Sequence, residues 1–332
     1  MILRREFIAC FTGTVLAAPW ALRAQPARLK RIGVLIPYAE TDAESQLHLA
    51  AFREALKQSG WSAGNNVQLE VHWAASGERG RLEQAARELV ASHPDAILVR
   101  STAATAMLLK LTRTIPLVFV VVSDPVGDGF VASLARPGGN ATGFTNVESS
   151  LGGKWLQLLK EADPRVTRVA VLFGAKTAAG GGAYYLRLIK EATTSIPVRV
   201  DPMAIEDGAG LERAVAEFVG KPGGGLLVLP DATTTAQRER IVVLAARHRL
   251  PAVYPFELFA RNGGLISYGI DITDQYRRAA AYLDRMLRGE PPAMLPVQAP
   301  TRFELVVNLR TANTLGIKLP QSVLLQATAV IE

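Results

Sequence analysis

RIGVLIPYAETDAESQLHLAAFREALKQSG, residues 31–60, holds one strand pattern and one helix pattern in direct succession. The run RIGVLIP is short, apolar and closed by proline, which is typical of a buried parallel strand. Thr41 and Glu44 form a capping box that predicts the start of a helix, and Gly60 lies where a C-cap belongs. Apolar residues recur between them at helical spacing: Leu47, Ala51, Phe52, Ala55 and Leu56. The pattern predicts a strand and a helix that covers it.

The same strand and helix unit recurs along the rest of the chain. Further strands are predicted at 67–73, 96–99, 117–122, 168–173, 198–203, 225–229, 252–254, 265–268 and 303–308. Helices are predicted at 78–92, 103–112, 151–162, 184–194, 210–219, 236–249 and 275–288. Residues 124–145 are dense in Gly, Pro and Asn and predict a loop. Two such arrays predict an α/β fold with two doubly wound parallel-sheet lobes.

The N-terminus has the pattern of a secretory signal peptide. Arg4 and Arg5 precede a mostly apolar segment, and small residues end near Ala24. The apolar segment is shorter than the roughly 20 residues that a membrane-spanning helix needs. We therefore expect residues 1–24 to be removed on export to the periplasm. The pair of arginines also resembles a twin-arginine signal, so the export route stays open.

Composition excludes several classes of site. Cys10 is the only cysteine, so the mature protein would have no disulfide and no Cys-ligated metal. The formal net charge is +7, of which the leader supplies +2, and the remaining basic residues are scattered. Nucleic-acid binding is therefore not expected. The four histidines, at positions 48, 72, 93 and 248, lack metal-ligand spacing, so we expect neither a metal nor a cofactor.

Longer strings carry a family resemblance over essentially the whole mature chain. They are SDPVGDGFVASLARPGGNATGFT at 123–145, YPFELFARNGGLISYGIDITDQYRRAA at 254–280 and PTRFELVVNLRTANTLGIKLPQSVLLQATAVIE at 300–332. On these strings the chain resembles the substrate-binding proteins of bacterial ABC importers, and most of all the subfamily associated with tryptophan or tyrosine uptake. Only GAKTAAGGG at 174–182 departs from the usual family pattern.

The resemblance implies a type I periplasmic-binding fold, in which two lobes joined by three hinge segments close on a ligand. It implies a monomer that catalyses no reaction and that delivers a small molecule to an ABC permease with its ATPase. We expect the first lobe to comprise 29–146 and 271–300, and the second 147–270 and 301–332. The expected hinges are 145–148, 269–272 and 300–303.

Candidate ligand-binding residues follow the strands directly, because open parallel sheets bind ligands outside the carboxyl ends of their strands. They are Tyr38, Ser101, Thr102, Ser123, Asp124, Asp231, Tyr254, Glu257, Tyr268 and Asp271. Ser101 and Thr102 precede a predicted helix, whose N-terminus favours a carboxylate, although either residue could simply cap that helix. The tyrosines could stack on a flat ligand or pack in the core. The aspartates could accept a bond from a ligand amine or cap a turn.

Catalytic motifs are weak throughout the chain. Ser149 and Ser150 lack a nucleophile-elbow context, and the Gly180 to Gly182 run lacks the order of a phosphate loop. No catalytic residue is therefore assigned. Three other functions stay open: a secreted α/β enzyme, a ligand-sensing receptor for a signalling partner, and a sugar-repressor-like regulator, which would need an N-terminal helix-turn-helix.

Overall fold

A computed structural model describes residues 28–75 and 80–332. The predicted signal peptide, residues 1–24, lies outside the described residues. Within them the chain forms two separate sheets with helices on both faces, which is the predicted α/β fold with two sheet lobes.

The first sheet is parallel throughout. Its strands are β1 (Lys30–Ile36), β2 (Val67–Trp73), β3 (Ala96–Arg100), β4 (Leu117–Val122) and β5 (Ala141–Thr145), in the order β2-β1-β3-β4-β5. Three helices from the same part of the chain cover it: α1 (Ala43–Gln58), α2 (Arg81–Ala91) and α3 (Thr102–Leu111). Apolar side chains of successive strand residues enter opposite faces, so one core lies under α1 and another under α2 and α3.

Strand β5 lies inside the segment that composition predicts to be a loop. All five of its residues are buried. A Cβ on Gly143 would lie 2.0 Å from the carbonyl oxygen of Phe119 in the neighbouring strand, so only glycine fits there. The loop prediction for 141–145 was wrong because glycine here serves close strand contact, and composition alone reads it as a turn signal.

The second sheet is mixed. Its strands are β6 (Arg168–Gly174), β7 (Arg199–Ile205), β8 (Gly224–Val228), β9 (Ala252–Tyr254), β10 (Ile266–Ile270), β11 (Phe303–Asn308) and β12 (Ala329–Ile331), in the order β12-β11-β10-β9-β8-β6-β7. Strand β11 runs antiparallel to β10 and the other neighbours are parallel. The helices are α4 (Leu151–Ala162), α5 (Ala183–Ala192), α6 (Gly208–Val219), α7 (Ala232–Ala236), α8 (Arg238–Arg247), α9 (Glu257–Arg261), α10 (Ile272–Leu287), α11 (Leu309–Leu315) and α12 (Gln321–Gln326).

Some details of the helices differ from the predictions. Asp42, and not Thr41, caps α1, because its carboxylate accepts from the backbone of Ser45 at 2.9 Å. Leu47, predicted to be a core residue, is 58% exposed. The helix predicted over 236–249 is α8, which begins only at Arg238, and the short helix α7 directly before it was not predicted.

Helix α10 returns to the first sheet, where it packs against α1, β3, β4 and β5. The chain therefore passes between the two sheets three times, between β5 and α4, between β10 and α10, and ahead of β11. Gln275 of α10 braces the first passage: it accepts from the Val121 backbone at 2.9 Å and donates to the Thr145 carbonyl at 2.6 Å. The predicted hinge segments lie on these passages, and their flexing stays a prediction.

Candidate functional site

The carboxyl edges of the two sheets face one another across a cleft of about 240 Å³. Pro37 and Ala103, which follow β1 and β3, line its first side. Thr177 and Thr233, which follow β6 and β8, line the second. Because most wall residues lie at or shortly after the carboxyl end of a strand, the cleft occupies the place where open α/β sheets bind ligands.

Two polar contacts join the two sides around this cleft. Asp42 forms an ion pair with Arg238 at 2.8 Å, with both side chains largely buried. The phenol of Tyr185 donates to the hydroxyl of Ser123 at 2.8 Å. Residues far apart in the chain therefore hold the two sheets in a closed arrangement.

Ser101 and Thr102 lie at the N-terminus of α3, on the first side of the cleft. The Ser101 hydroxyl accepts from the Ala104 backbone at 3.3 Å, so it does cap the helix. Its backbone φ is 86°, a conformation that costs a residue with a side chain of order 1–3 kcal/mol and occurs mainly where a site needs it. The Thr102 hydroxyl accepts from the Ser123 backbone at 3.3 Å. The Ser101 hydroxyl thus caps α3, and the Thr102 hydroxyl joins the start of this helix to the end of β4.

Arg100, the last residue of β3, was not among the candidate residues. Its guanidinium lies 4.7 Å from the ring centroid of Tyr38 and within 3.2 Å of the His48 imidazole. Tyr276 stacks on that imidazole at 5.5 Å. Burial, together with the Arg100 charge, lowers the pKa of His48 to about 3, so the ring stays neutral and accepts from the guanidinium.

This arginine cluster holds a fixed positive charge at the end of β3, next to the N-terminus of α3. Arg100 is 1% exposed, and its Nε has no hydrogen-bond partner among the described residues. The ring of Tyr38 covers it, and Tyr38 also interacts with Thr235 of the second lobe. A buried cation beside a helix N-terminus favours an anionic group in the same space.

Asp231 and Asp124 make local bonds. The Asp231 carboxylate accepts from the Gly174 backbone at 2.9 Å, from the Thr177 hydroxyl at 2.7 Å and from the Thr234 backbone at 3.0 Å. Burial raises the pKa of Asp231. Asp124 accepts from the Gly127 backbone at 2.9 Å, which is the turn role considered for it. A ligand contact by either aspartate stays a prediction.

Two candidate tyrosines lie away from the cleft. Tyr254 is 1% exposed and stacks on Phe259 at 5.2 Å inside the second lobe. Tyr268 stacks on Phe303 at 5.6 Å, with Lys154 of α4 beside its ring. Side chains alternate between the two faces of a strand, and these two lie on faces that other parts of the protein cover. The structure therefore does not bring them together with Tyr38.

Glu257 and Asp271 line a different cavity, of about 760 Å³, between α1 and the ends of β9 and β10. Glu257 pairs with Arg261 on its own helix, and Asp271 caps α10 through the Asp274 backbone at 2.9 Å. The rule that ligands bind at the carboxyl ends of strands takes no account of strand order, so it grouped these two residues with those of the cleft. Strands β6 and β8 end at the cleft, whereas β9 and β10 end beside α1.

The carboxyl group of Glu304, in the same cavity, is expected to make the stability of the protein depend on pH. Burial, together with the nearby Asp271 and Glu257 carboxylates, raises its pKa to about 6. Because the unfolded value is about 4.3, the folded protein binds this proton more tightly. The stability that this bound proton gives the folded protein is fully present below about pH 4.3 and is lost as the pH rises through 6. The Glu304→Gln variant has no such carboxyl group, so we expect its stability not to fall in this way. Its free energy of unfolding, measured in urea from pH 4 to 8, should rise relative to that of the wild type above pH 6. Parallel curves across that range would contradict the assignment.

Across the described ranges, no three His, Cys, Asp or Glu side chains are grouped so as to hold a metal ion. In the same part of the chain, no helix combines the length and apolarity required to span a bilayer.

Comparison with known proteins gives the family. Residues 33–331 match the family described as ABC transporter substrate binding protein. The Tyrosine-binding protein of Clostridioides difficile (strain R20291) is 23% identical over 291 residues, which are 87% of this chain and 81% of that protein.

Two solved structures share the fold. One is an ABC domain in complex with L-Trp from Streptococcus pneumonia, at 23% identity and a TM-score of 0.83, covering 91% of this chain and 100% of that one. The other is the ligand-free, open structure of a substrate binding protein with adhesive properties from Clostridium difficile, at 21% identity and a TM-score of 0.66, covering 91% and 99%. Because the family match runs from β1 to β12, through both sheets and all three passages, the chain belongs to the ABC transporter substrate binding protein family.

Proposed function

We propose that the protein is an exported solute receptor of an ABC importer. It captures a small molecule in the cleft between its lobes and presents it to a membrane permease that works with an ATPase. The observation that carries the proposal is the closed cleft itself: two strand edges from separate sheets, joined by the two polar contacts around one cavity. Such a receptor needs no catalytic group, and none is assigned.

Binding is proposed to close the lobes by a hinge motion. The first lobe is taken as 29–146 with 271–300, and the second as 147–270 with 301–332. Each ligand contact made to both lobes lowers the free energy of the closed arrangement relative to the open one. The three passages at 145–148, 269–272 and 300–303 absorb the rotation, while Gln275 keeps the first passage attached to the first lobe.

The ligand is proposed to be an amino acid or a related aromatic or carboxylate compound. The N-terminus of α3 and the buried Arg100 charge favour a carboxylate on the first side of the cleft. Tyr38, beside them, offers an aromatic face and a phenol. One relative named above is a tyrosine-binding protein and another was crystallised in complex with L-Trp, which supports the same ligand class.

Export to the periplasm is proposed from the leader at 1–24, and the receptor is proposed to act as a monomer. A net charge spread thinly over the surface gives no reason to expect a nucleic-acid partner.

Calorimetry on the mature chain, residues 25–332, tests the proposal. L-tryptophan, L-tyrosine and L-phenylalanine form the test series, and L-leucine tests the need for an aromatic ring. Tryptamine lacks the carboxylate and indole-3-propionate lacks the amine. We expect at least one aromatic amino acid to bind with a micromolar or lower Kd and to reduce the radius of gyration in X-ray scattering. A protein that binds none of the series and does not compact would contradict the proposal.

A further inference from the structure

Asn146 is a buried side chain at the first passage between the lobes, and its amide makes no hydrogen bond within the part of the chain that the structure describes. The residue is 2% exposed. Neither Oδ1 nor Nδ2 meets a partner among the residues that the structure describes. Buried polar atoms are nearly always paired, because an unpaired one loses its bonds to water and gains nothing in return. Both ends of this amide therefore lack a bond that the folded protein would ordinarily supply.

The other buried amides of the chain show what a structural role looks like. Gln275 accepts from the Val121 backbone and donates to the Thr145 carbonyl. Asn308 accepts from the Thr311 backbone at 3.1 Å and donates to the Ala260 carbonyl at 3.0 Å. Each of them uses its donor and its acceptor to hold backbone in place. Asn146 is equally buried, but neither polar atom of its side chain makes a hydrogen bond to a described residue.

Its position is beside a contact that joins the lobes. The Asn146 backbone donates to the Val122 carbonyl at 3.0 Å, which places it at the carboxyl ends of β4 and β5. The Asn146 side chain lies close to the phenol of Tyr185 from the second lobe, and that phenol donates to the Ser123 hydroxyl at 2.8 Å. The unpaired amide therefore lies at the junction of the two lobes.

We propose that Asn146 is a specificity-determining residue that recognises the α-amino and α-carboxylate groups of an amino acid together. Its Oδ1 accepts from the ammonium group and its Nδ2 donates to the carboxylate, since an amide presents one acceptor and one donor side by side. A ligand with only one of these groups leaves the other end of the amide unpaired. This inference rests on the proposed function and defines its ligand class: compounds with both groups on one carbon.

The test compares Asn146→Leu with the matched control Asn308→Leu. Leucine has nearly the same volume and removes both polar atoms. At Asn146 this removes an unpaired amide, so we expect the Tm of the unliganded protein to stay unchanged or to rise. At Asn308 it leaves two buried backbone groups unpaired, so we expect the Tm to fall by several degrees. Calorimetry should show about a 10- to 100-fold weaker affinity of Asn146→Leu for L-tryptophan or L-tyrosine.

A second measurement separates recognition from general damage. Wild type should discriminate L-tryptophan from both tryptamine and indole-3-propionate, and Asn146→Leu should lose most of that discrimination. A variant that keeps wild-type affinity, or whose Tm falls as far as that of Asn308→Leu, would overturn the assignment to Asn146. A wild-type protein that binds no amino acid would instead overturn the proposed function, and this inference with it.

Discussion

Replacing Asp42 by Asn is expected to weaken the binding of L-tryptophan or L-tyrosine about 10- to 100-fold without unfolding the protein. The Asp42 carboxylate and the Arg238 guanidinium are 2.8 Å apart, and their side chains are 12% and 18% exposed. A hydrogen bond to a charged group in such a place contributes ~1.5–3 kcal/mol, which corresponds to this range of affinity. Because the pair joins the two lobes, its loss raises the free energy of the closed arrangement only. The apparent affinity falls with the closed population.

Asparagine is chosen because it keeps the second role of Asp42. The side chain also caps α1 through the Ser45 backbone, and Asn serves as an N-cap about as well as Asp. Arg238→Gln should weaken binding to a similar extent, and the double variant should be little worse than either single one. Calorimetry measures the affinities, and X-ray scattering measures how far the liganded protein compacts.

A matched control comes from an ion pair inside the second lobe. Arg240 and Glu212 are also 2.8 Å apart, but both are about half exposed and neither reaches the first lobe. Exposed pairs contribute ~0–1 kcal/mol, and this one is present in open and closed arrangements alike. Glu212→Gln should therefore leave the affinity within about twofold. Equal affinities for Asp42→Asn and Glu212→Gln would show that the pair between the lobes does not stabilise closure.

Most of the secondary structure could be predicted because a sheet covered on both faces requires continuous apolar strands. The bounds of β2, β4, β9, β11 and α4 match their predictions. Strand β5 could not be found this way, since the reason for Gly143 is the Phe119 backbone beside it, which only the folded structure brings near. Strand β11 is antiparallel to β10 because the chain enters it from a passage between the lobes, and its own sequence does not indicate that direction.

The candidate site could be predicted only as far as strand ends could be recognised. Tyr38, Ser101, Thr102 and Ser123 lie together because β1, β3 and β4 are neighbours or near neighbours in one parallel sheet. Which strand ends of the second sheet face them depends on strand order, and this is why Glu257 and Asp271 were grouped with them. Arg100 and Asn146 carried no local signal: an arginine that ends a strand and an asparagine in a loop are ordinarily solvated.

Replacing Gly269 by Ala is expected to destabilise the protein by ~3 kcal/mol, the upper end of the usual cost of overpacking. A Cβ built there would lie 1.6 Å from the Pro255 carbonyl oxygen and 2.8 Å from its carbon. Both are backbone atoms of the segment after β9, so no side-chain rotation can relieve the overlap. Either β10 or that segment must shift, and β10 is paired on its other edge with β11. In thermal unfolding the Tm should fall by roughly 6–12 °C.

Gly139→Ala is the control for this substitution, because no atom lies within 4 Å of its Cβ position and its φ is not positive. It should leave the free energy of unfolding unchanged or raise it slightly, since alanine restricts the unfolded chain. Gly269 also lies directly before the passage from β10 to α10, so a forced shift there changes the angle at which the chain enters the first lobe. The Gly269→Ala variant should therefore lose affinity for L-tryptophan or L-tyrosine as well as stability. Equal unfolding free energies for the two variants would mean that the segment after β9 can shift at little cost in free energy. The second passage would then not be fixed by this backbone contact.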